Sequence, residues 1–109
     1  MFRWLKQKAI GAAQNQCRLN IKLTTKSLIL VADQADAAIQ SAGDSNESQK
    51  SEVLSRQQRL FQELLLAHSN GIQVDELKSM LDSLVSDNAS TQGASIAVQH
   101  TFDSFASEL

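Results

Sequence analysis

The chain has 109 residues, 42% of them hydrophobic, with no proline, four glycines and a single cysteine. That is room for one domain, 1–109, around one core, and it excludes an internal disulfide or a multi-cysteine metal site. Net charge is only −2, yet the first 32 residues hold six cations and no acid, whereas the remainder holds twelve acids and four bases. This asymmetry directs attention to a charged partner.

Abundant Leu, Ala, Gln, Ser and Lys, with no sustained polar–apolar alternation, predict an all-α fold. The expectation is a single compact bundle of four or five helices at about 2–17, 20–42, 48–69, 74–86 and 94–106. In the first, Phe2, Leu5, Ala9, Ala12 and Ala13 form a stripe with Trp4 and Ile10 beside it. Aromatic residues at the end of a basic helix suit peripheral membrane contact through Phe2, Trp4 and Leu5, and small alanines suit close packing on a neighbour. Around Arg18, Leu19 and Asn20 the pattern allows either a bend between two helices or a continuation. The second helix carries Ile21, Thr24, Leu28, Val31, Ala35, Ala38 and Ala42 at steps of three and four, broadened by Leu30 and Ile39, a seam for an internal bundle or for a homo-oligomer.

The polar run Gly43–Ser48 reads as a linker, with Ser48 or Ser51 as candidate caps of the central helix. That helix places Val53, Leu54, Leu60, Phe61, Leu64 and Leu65 on one face, widened by Leu66 and Ala67. Ser69-Asn70-Gly71 stops it, with Ile72 packing back on the last turn. Leu77, Met80, Leu81, Leu84 and Val85 begin a new period, and Asp75 and Glu76 favour the positive end of its dipole. So short a connection predicts that these two helices pack as neighbours. A mobile loop is expected over 86–93. The last helix should bury Val98, Phe102 and Phe105, joined by Ile96 or Leu109.

Ala67, Gly71, Ile72, Leu77 and Leu81 have a spacing that resembles the helix-turn-helix of DNA-binding domains. The resemblance implies a recognition helix at 74–86, but Asp75, Glu76 and Asp82 stand there against one Lys78, a face that phosphates repel. Asn70–Glu76 is similar to the second half of a calcium loop; Ile72 directly after the glycine and Glu76 one position early break that pattern.

No histidine pair lies four apart, the glycines form no phosphate loop, and Asp33 and Asp36, one turn apart, read as a solvated face. His68 and His100 are expected to be structural, and so is Cys17, although Arg18 beside it is of the kind that lowers a thiol pKa. No catalytic residue, metal or cofactor is therefore expected, and no small-molecule substrate. The single thiol fits a reducing, cytoplasmic setting, and no apolar run reaches the length of a membrane span. The functional expectation is a non-enzymatic helical interaction or adaptor module, self-associating through the 21–42 helix or meeting another protein. The alternative is nucleic-acid binding, with the 60–85 hairpin as scaffold. For either, the candidate surface is Arg3, Lys6, Lys8, Arg18, Lys22 and Lys26, since no carboxylate lies within one turn of these cations; the candidate seam is Ile21, Leu28, Val31, Ala35 and Ala38.

Overall fold

A computed structural model describes residues 2–43 and 47–109, with side chains described from residue 9 onward. Four helices make up the fold: α1 (Phe2–Ala42), α2 (Glu47–Ser69), α3 (Val74–Asn88) and α4 (Gln92–Ser107). The described residues contain no strand. The protein is an all-α bundle.

The chain continues as a helix through Arg18, and the first two predicted helices are one helix of 41 residues. Nothing in 2–42 stops a helix. There is no proline to remove a donor, Gly11 stays helical, and the Gln16 amide donates to Asn20 Oδ1 at 3.0 Å, an i,i+4 pair that spans the supposed boundary. A continuous inner stripe of Cys17, Ile21, Leu28, Ile29 and Ala32 runs along it. At 1.5 Å per residue such a helix is about 60 Å long, and α1 sets the long axis of a molecule measuring 62 × 25 × 20 Å.

α1 and α4 form a central pair, with α2 on one side and α3 on the other. α2 and α3 barely touch, contrary to the packed hairpin expected; α3 instead lies on α1 and α4. The core draws on every helix: Ile21 and Leu28 from α1, Leu60, Leu64 and Ala67 from α2, Leu77 and Leu81 from α3, and Val98, Phe102 and Phe105 from α4. Burial also corrects several expected faces. Leu30, Ile39 and Ala42 on α1, Leu54 and Leu66 on α2, and Ile96 and Leu109 at the other end of the chain, are exposed. Their places on the inner side of α4 go to Ala94, Ala97 and Thr101. Ala9 and Ala12 are exposed rather than packed on a neighbour.

The two corners are built differently. Gly71 takes φ +92°, and Ile72 N–H donates to Ala67 C=O (3.1 Å) while Gly71 N–H donates to His68 C=O (3.0 Å). These are the two bonds of a Schellman cap, and Ile72 is buried behind them. The second corner is only Ala89–Thr91, because α3 runs on to Asn88 and α4 starts at Gln92. Side-chain hydrogen bonds hold it. Asp33 accepts from Ser90 N–H (3.0 Å to Oδ2), Thr91 N–H (3.0 Å) and Thr91 Oγ1–H (2.7 Å). Thr91 Oγ1 in turn accepts from Ala94 N–H at 3.2 Å, so it caps α4. Ser48 and Ser51 lie inside α2 and cap nothing; α2 starts at Glu47 because the run that follows is free of Pro and Gly.

Candidate functional site

Of the candidate cations, Arg3, Lys6 and Lys8 have side chains outside the described portion, as have Phe2, Trp4 and Leu5. Arg18 is not a free cation. Its Nε donates to Glu76 Oε2 at 2.7 Å, its Nη2 to Glu76 Oε1 at 3.3 Å, and its Nη1 to Asn15 Oδ1 at 2.8 Å. This two-pronged bond holds the Glu76 carboxyl below its ordinary range and raises Arg18 above its own. The acid that neutralises Arg18 thus comes from α3, 58 residues away, where no reading of local spacing finds it.

Lys22 and Lys26 are exposed, and among the described residues neither has a hydrogen-bond or ion-pair partner. Between them and around them α1 exposes Leu19, Leu23 and Leu30 at 48%, 58% and 60%. Steps of four and seven place these three leucines on one side of the helix. That side is opposite the seam residues Ile21, Leu28, Val31 and Ala35, which are buried in the bundle, with Ala38 half-buried. α1 is therefore apolar on two faces, one consumed by the core and one outward.

A groove of about 480 Å³ runs beside this crest, between α1 and α3. Leu19, Met80 and Leu84 supply its apolar surface, Lys22 and Ser83 its polar edge, and the Arg18–Glu76 pair sits at one end. On the other flank of the crest, Leu23, Thr24 and Ser27 of α1 and Arg56 and Arg59 of α2 line a second pocket of about 290 Å³. The outer side of α1 from residue 18 to 32 holds no acid at all, so the whole band is cationic and leucine-bearing.

The other chemistry-bearing residues are placed structurally. Cys17 is buried, with the Asn70 side-chain amide 3.8 Å from its sulfur. Both histidines are exposed, and His68 stands edge-on to Phe105, ring centroids 6.1 Å apart. Asp33 and Asp36 are not a solvated face: with Asp33 on the corner, Asp36 Oδ2 accepts from Gly93 N–H at 3.2 Å. Both carboxylates thereby meet the positive end of the α4 dipole. Among the described residues no three His, Cys, Asp or Glu lie together as a metal-binding group, and no helix is long and apolar enough to cross a membrane.

No protein-family profile matches the chain, and no curated protein or solved structure matches it. The functional reading comes from these residues alone.

Proposed function

We propose that the protein is a non-catalytic interaction module whose docking surface is the outward crest of α1 with the α1–α3 groove beside it. The occupant we assign is an acidic amphipathic helix of another protein, laid along the groove with its apolar side on Leu19, Met80 and Leu84 and its carboxylates toward Lys22 and Lys26. The observation that carries this reading is the exposed leucine stripe of α1, interleaved with lysines that have no partner in the described chain.

Energetics support the division of labour. Full burial of a leucine contributes about 1.5–3 kcal/mol, so three leucines give a gross term similar to the cost of association, about 4–15 kcal/mol. Apolar burial supplies adhesion; the lysines select an acidic partner and speed encounter. The same charges disfavour self-association through this helix. An isologous dimer on the crest faces Lys22 and Lys26 with their own copies, and the inner seam is already buried.

The test is a titration of the labelled protein with a synthetic helix bearing leucines at i, i+4 and i+7 flanked by glutamates. Saturable amide shifts at Leu19, Lys22, Met80 and Leu84, lost in Lys22→Glu/Lys26→Glu and in Leu19→Gln/Leu23→Gln, support the proposal. Equal binding by a scrambled peptide of the same charge refutes it. A second reading, contact with nucleic-acid phosphates, uses Lys22 and Lys26 with Arg56 and Arg59, which likewise have no ion-pair partner among the described residues. It predicts binding that falls steeply with salt and is indifferent to the leucines, so the leucine pair of substitutions separates the two.

A further inference from the structure

The pocket on the α2 flank of the crest has a composition the docking reading does not use. Arg56 and Arg59, one turn apart on α2, converge with the hydroxyl-bearing Thr24 and Ser27 of α1 on a space of about 290 Å³. Neither arginine is hydrogen-bonded or ion-paired among the described residues, and Arg56 Nε is sealed from solvent without an acceptor. A buried donor with no acceptor is costly, and a guanidinium cannot relieve the cost by losing its proton.

Of the two acids nearest on the same helix, Glu52 lies one turn before Arg56 and does not line the pocket, and Glu63 lies one turn beyond Arg59. Glu63 does not line the pocket either, and its own Oε2 is buried without a partner, so it closes no ion pair with either arginine. The chemical complement of this lining is an anion with several acceptor oxygens. Two guanidinium forks and two hydroxyls approach from two helices rather than in one plane. A planar carboxylate offers two oxygens to such a set; a phosphate offers a tetrahedral array that all four groups can reach. Leu23, which is exposed, borders the pocket on the crest side.

We infer that Arg56, Arg59, Thr24 and Ser27 form a binding site for a phosphate-monoester oxyanion, either free phosphate or the phosphate head of a small phosphorylated molecule. The inference stands apart from the docking of a partner helix, because no residue of the α1–α3 groove belongs to it. Occupancy gives the two guanidinium groups a shared anion and bridges α2 to α1, so the ligand adds to bundle stability by mass action.

The experiment is an amide chemical-shift titration of the full chain with inorganic phosphate, and in parallel with glycerol phosphate, at constant ionic strength. Acetate is the control. Saturable shifts at Thr24, Ser27, Arg56 and Arg59 with both phosphates and not with acetate are expected. Saturation by inorganic phosphate alone assigns the site to the free ion, and tighter saturation by glycerol phosphate assigns it to an ester. Arg59→Gln, an exposed position whose loss leaves the core intact, should weaken binding about ten-fold, the loss of one charge-assisted contact. Arg56→Lys should lose less than Arg56→Gln, because it keeps charge but not the fork. Lys22→Glu/Lys26→Glu should leave phosphate binding in place, which separates a failure here from a failure of the docking surface. Absence of saturable shifts overturns the inference. So does equal response to acetate, or binding to anionic vesicles or duplex nucleic acid without binding of either small phosphate, since those outcomes describe a diffuse charged surface.

Discussion

The inner and outer faces of α1 between Cys17 and Ala32 are equally rich in large aliphatic residues and have opposite fates. Inside, Ile21 and Leu28 are completely buried and Ile29 nearly so; outside, Leu19, Leu23 and Leu30 each expose about half their surface or more. Hydrophobicity alone does not separate them. What does is the company each keeps: the inner residues meet leucines of α2 and aromatics of α4, whereas the outer ones sit among lysines that must remain solvated. A helix apolar on two sides is therefore half framework and half interface, with a polar rim of Arg18, Asp33 and Asp36 between the two.

Substitutions can break this contrast in order of severity. Leu28→Ala should cost about 2–5 kcal/mol in urea denaturation, the range for a buried leucine that leaves a cavity. A loss below that of a surface leucine would show that the inner face is not the core. On the rim, Asp33→Ala removes the acceptor of two backbone donors and one hydroxyl at the α3–α4 corner, and should cost about 1.5–3 kcal/mol. Glycine positions sharpen the comparison further. A Cβ at Gly93 would stand 2.8 Å from Asp36 Cγ, whereas at Gly11 it meets nothing within 4 Å. Gly93→Ala should thus destabilise by about 1–3 kcal/mol through overpacking, and Gly11→Ala should stabilise by roughly 0.5–1 kcal/mol. Calorimetric melting of the pair tests both signs.

Acid titration addresses the other side of the rim. The Arg18 hydrogen bond holds the folded Glu76 carboxyl below its ordinary carboxylate range. Its contribution is present above the unfolded value and is lost as pH falls through the lower, folded one. Glu76→Gln should therefore flatten the pH dependence of stability in that acidic window and leave it unchanged near neutrality. The smallest effect belongs to the crest. Leu23→Gln and Leu30→Gln should shift stability by no more than about 0.5 kcal/mol, and should act on partner binding instead.

How much of this was legible beforehand depends on the reach of each interaction. The α2–α3 corner could be read from Gly71 and Ile72, because a Schellman cap is closed by residues within six positions. The α3–α4 corner could not, because its clamp, Asp33, lies 57 residues from Ser90. Whether α1 bends near Arg18 or continues is not legible from periodicity, because a run free of proline offers no physical stop there. Leu54 and Leu60 both fit the apolar period of α2, yet only Leu60 finds a partner helix; periodicity marks a stripe but not its edge. Lys22 and Lys26 were visible in the acid-free start of the chain. Arg56 and Arg59 were missed, since α2 interleaves them with Glu52 and Glu63 and looks balanced; only the placement of Thr24 and Ser27 opposite them singles them out.

The length of α1 bears on how any association should be weighed. The radius of gyration is 15.7 Å, against about 13 Å for a compact chain of this size. A rod-like monomer drags more solvent than a sphere of equal mass and elutes early from a sizing column, where it imitates a dimer. Absolute mass by light scattering is immune to that illusion, and for this protein it is the measurement by which one copy is told from two.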